Sequence, residues 1–165
     1  MSLFNFLRPK ARPAPITRVK NIESIKAHEG IRLKAYLPTP NDVWTIGYGH
    51  TSTAHKGMVI THIKAEALLR GDLKWVEDAI AEHVQVPLSQ PQFDAVASLI
   101  YNIGATGFSK STVCRRINAS DFEGAADAFL MWNKQRNRRT GKLEVLRGLT
   151  KRRQVERAMF LKGSK

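Results

Sequence analysis

Cysteine is almost missing: Cys114 is the only one in 165 residues. That excludes an intramolecular disulfide and any cysteine-built zinc cluster, and it suits folding in a reducing cytosol. Acids are scarce too, 14 against 27 Lys and Arg, for a net charge of +13. Such a surface draws polyanions, whether nucleic acid, anionic lipid or an acidic bacterial envelope polymer, and charge alone does not choose among them. No apolar run approaches the ~18 residues that a membrane span needs, so no integral membrane segment is expected. The opening residues, Met1 to Lys10, set a short apolar patch before a basic, Pro-containing continuation. A secretory signal runs in the opposite order, so no export signal is read there.

The length suits one domain with a single core. Residues 1–20 hold Arg8, Lys10, Arg12, Arg18 and Lys20, no acid, and prolines at 9, 13 and 15. This reads as a basic extension without a packing pattern, ahead of a body spanning 21–162 and a short tail, 163–165. In the body, Ile22 and Ile25 lead to a helix closed by Gly30. Trp44 to Tyr48 alternates like a strand, and its glycines suggest a close approach to the backbone. Thr61 caps a long helix with Leu69, Leu73, Val76, Ile80 and Val84 at steps of three and four. Ser89-Gln90-Pro91-Gln92 is a capping box for a helix carrying Phe93, Val96, Ile100 and Ile103 and stopped by Gly104. Ser120 to Glu123 opens another helix, and a last one runs from about Thr150 to Leu161. The fold class is α+β, with a small β-containing lobe in front of a mostly helical body.

Glu29 stands out among groups able to do chemistry. A carboxylate on a helix's last turn faces the negative end of the macrodipole, which favours its protonated form, as a general acid requires. His50 has no second ligand at metal spacing, so it reads as structural, with Asp72 as its candidate partner. Trp44, Trp75 and Trp132 could stack on a sugar, but aromatics at such spacings belong more often to a core, and Trp75 and Trp132 are read so. The basic run from Lys134 to Arg153, interrupted only by Glu144, reads either as a solvated face or as an attractor for an anionic envelope.

The stretch Glu29-Gly30-Ile31-Arg32-Leu33-Lys34-Ala35-Tyr36, followed by Val43-Trp44-Thr45-Ile46-Gly47-Tyr48-Gly49-His50-Thr51, resembles the bacteriophage lysozymes of the T4 type. Further matches at Phe93-Asp94-Ala95, Asn102-Ile103-Gly104, Trp132-Asn133, Arg147-Gly148-Leu149 and Arg152-Arg153 extend the resemblance over about residues 22–162. It implies a lysozyme-like fold with a cleft between the two lobes. The implied activity is a cofactor-free, metal-free muramidase cutting the β-1,4 bond between N-acetylmuramic acid and N-acetylglucosamine in peptidoglycan. Glu29 then matches the catalytic glutamate and Thr45 the threonine that helps hold the attacking water, while Thr39, Tyr48 and Asn102 are expected to contact the saccharide, with Asn133 a weaker choice.

One departure concerns the second carboxylate. The family usually carries an aspartate between Glu29 and Thr45, but this loop is one residue longer and offers Pro38 or Thr39 instead. Asp42 is the only other acid between Glu29 and His50. An inverting hydrolase needs a water-activating carboxylate roughly 6.5–9.5 Å from its acid. Asp42, Thr39 with an unassisted water, or an acid from elsewhere stay open at this point, and so does a plain turn role for Asp42. Two other readings compete with the enzyme: a lysozyme fold that keeps only wall binding, and a nucleic-acid-binding module. The second lacks any zinc-finger or RNP-type pattern. A monomer is expected, held in the host cytoplasm until a separate membrane pore releases it to the wall.

Overall fold

The computed structural model describes residues 16–163. Asn21 caps α1 (Ile22–Glu29) by accepting from the Ser24 N–H, and Gly30 closes it at φ 66°, where a Cβ is disfavoured. β1 (Arg32–Tyr36) then pairs antiparallel with β2 (Thr45–Gly47), Arg32 opposite Gly47 and Tyr36 opposite Thr45. Residues 58–60 flank β1, the Ala35 N–H donating to Met58 O and the Ile60 N–H to Leu33 O, both at 2.9 Å. These segments form the β lobe.

The helical body begins at α2 (His62–His83), capped by Thr61 as expected. Its Ala65 supplies the close approach signalled by the strand glycines, 3.5 Å from where a Cβ on Gly47 would lie. α3 (Gln90–Ser109) is buried continuously from Gln92 to Ile100, as suits a helix enclosed by others. Gly104 does not end it: the backbone breaks there at φ 78°, ψ 160° and helix resumes to Ser109. α4 (Thr112–Asn118) was not foreseen; seven residues with three buried side chains make a weak periodic signal. α5 (Phe122–Phe129) is capped by Asp121, which accepts from the Gly124 N–H, and not by Ser120. Then β3 (Lys134–Arg136) and β4 (Leu143–Val145) form an exposed antiparallel hairpin inside what reads in sequence as a basic run. α6 (Arg147–Lys162) begins three residues before Thr150. It packs on α3 and α5, with Phe160 against Phe129 of α5 at 5.4 Å between ring centroids.

The boundary placed after residue 20 moves. Val19 is 8% exposed and belongs to the hydrophobic core, with Ile16 packed against it. The Val19 N–H donates to Glu77 Oε1 at 2.9 Å, the Lys20 N–H to Asp94 Oδ1 at 2.8 Å, and Gln90 Nε2 to Arg18 O at 2.9 Å. Residues 16–20 are therefore a strap across the second half of α2 and the start of α3; the extension's residues 1–15 lie outside the described ones. At the other end, any side chain on Gly163 would collide with Ser89.

Deleting residues 1–20 removes the buried Val19 and leaves the buried Asp94 without its Lys20 donor. These losses sum to about 2–4 kcal/mol. Thermal melts should place that truncation several degrees below one that starts at Ile16; equal melting temperatures would show that the strap contributes nothing.

Candidate active site

Glu29 ends α1 with its side chain 22% exposed, and it is not alone there. Arg152 of α6 reaches it, Nη1 donating to Oε1 at 2.6 Å. The same guanidinium donates through Nη2 to the Ser98 carbonyl at 3.0 Å and through Nε to Glu156 Oε1 at 3.1 Å. Glu156 Oε1 also accepts from Ser98 Oγ at 2.6 Å, and its Oε2 lies 2.8 Å from Arg153 Nε. Arg153 and Glu156 are both fully buried. Burial pushes the Glu156 carboxyl above the usual carboxylate range, against the pull of Arg153, Ser98 and Arg152. Burial likewise pulls the Arg153 guanidinium down, opposed by Glu156. Sequence reading missed this cluster. Its signal was an Arg-Arg pair three and four residues before a Glu, on the helix face that Phe160 continues.

With Oε1 tied to Arg152, Oε2 is the free oxygen. It faces Gly49, where a Cβ would stand 3.9 Å away, so glycine keeps the approach open at a φ of 93° that side chains rarely adopt. Here a cleft of about 630 Å³ opens, lined by Glu29, Gly49, Thr51, Ser52, Asp72, Trp75 and Tyr101 among others. Of the site residues expected from sequence, Glu29 lines it.

The others sit as follows. Asp42 and Thr39 form one unit: the Thr39 hydroxyl donates to Asp42 Oδ2 at 2.7 Å and the Asp42 N–H to Thr39 O at 3.0 Å. Arg138, from the β3–β4 turn, donates to Thr39 Oγ1 at 3.0 Å and lies 3.7 Å from Asp42 Oδ2. Thr45 is buried, its hydroxyl donating to Val43 O at 3.1 Å. The Tyr48 ring packs against the core beneath Lys26, 5.7 Å from Nζ to centroid, which leaves its carbonyl to accept from the Tyr101 hydroxyl at 2.9 Å. Asn102 is exposed on α3, and Asn133 donates to Thr150 Oγ1 at 3.4 Å.

His50 is structural, with the expected partner. Its Nδ1 stands 2.9 Å from both Asp72 oxygens, while the Thr53 N–H donates to Nε2 at 3.2 Å. A backbone donor at Nε2 requires a lone pair there, so Nδ1 carries the proton and donates to Asp72. This pins the β lobe to α2. Trp75 is not core: it is 42% exposed and stacks on Tyr101, centroids 6.1 Å apart and 19° between planes. Trp132 does pack against the core, half-buried. The basic run also divides, Arg152 and Arg153 turning inward while the hairpin's charges stay in solvent. Among the described residues, no group of three or more His, Cys, Asp or Glu could hold a metal ion.

A small β lobe tied to a helical body, with Glu29 open to a cleft at their junction, places the protein among the lysozyme-like glycoside hydrolases. The phage lysozyme family model matches residues 26–156. The chain is 47% identical to the endolysin of Salmonella phage P22 over 145 residues, covering 85% of this chain and 94% of that one. It is 45% identical to the endolysin of Acyrthosiphon pisum secondary endosymbiont phage 1 over 141 residues, 86% and 94% of the two chains. The muramidase domain of SpmX from Asticaccaulis excentricus superposes with a TM-score of 0.83 at 38% identity, over 88% of this chain and 99% of that one. A P22 lysozyme variant does so at 0.76 and 44%, with the same coverage. The chain belongs to the phage lysozyme family and is a peptidoglycan-degrading lysozyme.

Two outcomes follow from the buried charges. Glu156→Ala strands Arg153 in the interior and should lower stability by about 3–5 kcal/mol in denaturant titrations; a loss below about 1 kcal/mol would mean that the cluster is dispensable. His28 is held below its ordinary 6.5 by burial and by the charges of Arg152 and Arg153. The unfolded chain therefore takes up a proton on His28 before the folded one does. No penalty exists above about pH 6.5, and stability falls as pH drops below it, until the folded form titrates as well. His28→Gln should flatten that slope between pH 6.5 and 5, measured by unfolding at a series of pH values.

Proposed function

We propose that Glu29 is the general acid of an inverting hydrolysis of the β-1,4 bond between N-acetylmuramic acid and N-acetylglucosamine. The observation that carries this is the asymmetric environment of Glu29: Arg152 occupies Oε1, and Oε2 opens into the cleft. A proton on Oε2 leaves Oε1 able to accept from Arg152, so the acid form keeps its tether. In the reaction, the proton moves from Oε2 to the glycosidic oxygen as the C1–O bond breaks. Water adds to C1 from the opposite face and gives up its own proton to a base.

Asp42 is the base in this reading. Thr39 and Arg138 fix its carboxylate, and Thr45 spends its hydroxyl proton on Val43 O, which leaves oxygen lone pairs to accept from the water. Asn102, exposed on α3, is offered as a saccharide contact, and Thr39 acts by holding Asp42. The excess of 27 basic over 14 acidic residues supports attraction to anionic envelope polymers, an effect that salt weakens. Action as a monomer belongs to the same reading. The single, buried, unpaired cysteine suits a wait in the reducing host cytoplasm before a separate pore gives access to the wall.

Glu29→Gln should abolish clearing of a peptidoglycan suspension while the melting temperature stays within a few degrees; clearing at near the parent rate would overturn the role of Glu29. Asp42→Asn should lower the rate on the order of a hundredfold. Full activity in Asp42→Asn beside a crippled Thr39→Val would move the water-holding role to Thr39.

A further inference from the structure

The exposed Trp75 is unexplained by anything above. Along α2, Leu69, Leu73, Val76 and Ile80 face the core, whereas Asp72 and Trp75, three residues apart, share the face that lines the cleft beside Glu29. Leaving a large indole in water loses the burial energy its neighbours gain. A ring so placed is commonly a contact surface, apolar in body and polar at its N–H. It is also rigidly backed. Tyr101 lies behind it in near-parallel stacking, and the Tyr101 hydroxyl is anchored on the Tyr48 carbonyl. That hydroxyl remains a donor at any physiological pH, because burial and the Asp72 and Glu29 carboxylates push its pKa far up.

Resting on the glycosidase reading, we propose that the free face of Trp75 is a stacking platform for an uncharged N-acetylglucosamine ring of the glycan, one sugar position within reach of Glu29. A pyranose presents a flat face of C–H groups to an aromatic ring and hydroxyls at its rim. The cleft wall matches that division, Trp75 giving the flat surface and Thr51, Ser52 and Asp72 the polar rim. Its charge selects between the two sugars of the strand. Glu29, Asp72 and Asp78 all line this part of the cleft, with Lys74, bonded to Asp78, and no arginine among the lining residues. Arg152 offsets Glu29 and Lys74 offsets Asp78, whereas Asp72 faces only the neutral His50 ring, so it repels the carboxylates that a ring bearing a lactyl-peptide brings. The plain N-acetylglucosamine ring carries none.

Initial-rate kinetics on soluble, uncrosslinked glycan strands test this. Trp75→Leu keeps apolar bulk against Tyr101 but removes the flat ring, and Trp75→Phe keeps a ring. KM should rise tenfold or more in Trp75→Leu with kcat within threefold of the parent, and Trp75→Phe should stay within threefold in both. Chitotetraose, an uncharged N-acetylglucosamine tetramer, should inhibit the parent and the Phe variant more strongly than the Leu variant. A parent-like KM in Trp75→Leu, a fall in kcat alone, or equal losses in both variants would overturn the platform. An active Glu29→Gln would instead overturn the glycosidase reading, a separate result in the same assay.

Discussion

Two arginines and a glutamate buried on α6 hold this molecule's architecture and its chemistry in one piece. Desolvating such charges costs several kcal/mol each, offset here by close pairing of the opposite charges, although Arg153 Nη1 is left without a hydrogen-bond partner. Arg152 has a partner at each of its three nitrogens, and those partners come from α1, α3 and α6. α6 can therefore dock in one register only, since a slip of one residue would strand Arg153 or Glu156 in the apolar interior. The same constraint fixes Glu29, because the guanidinium that completes the interior charge cluster also holds the acid's inner oxygen.

Around that centre, the β lobe hangs on few attachments. His50 joins it to α2 through Asp72, Tyr101 joins it to α3 through the Tyr48 carbonyl, and Gly47 lets it lie directly on Ala65. The first two meet the cleft through Asp72 and Tyr101, so groups that keep the lobe in place also line the space where a sugar strand would lie. On the far side Arg138 reaches from the hairpin to Thr39 and Asp42 as a thin and exposed bridge.

Much of this was legible in the residues. Thr61 and Gly30 mark helix ends, the step of Leu69, Leu73, Val76 and Ile80 marks α2, and the charge logic of His50 finds Asp72. Glu29 was legible from its place on a helix end, within a block that resembles a known family. The rest was hidden for physical reasons. Periodicity is read from apolar residues, so a helix that buries Arg152, Arg153 and Glu156 looks solvated, and the hairpin beside it merges into the same basic run. Trp75 follows the spacing of its helix but lies one step off the buried stripe, enough to put it in the cleft. The strap packs through Ile16 and Val19, and two residues are too few to show a period. The order of Asp42, Thr39 and the water depends on how a loop one residue longer folds, which spacing does not determine.

The strap and Gly163 carry one more consequence. Residues 18 and 20 bond to Gln90 and Asp94, and Gly163 rests on Ser89, so both ends of the folded body converge on the first turns of one helix. Fraying from either end loosens the same spot, and the two ends protect each other from unzipping. Their closeness also makes the fold nearly a closed loop. A short linker could join the ends and new ones be opened in a surface turn, giving a circularly permuted enzyme with its cleft intact.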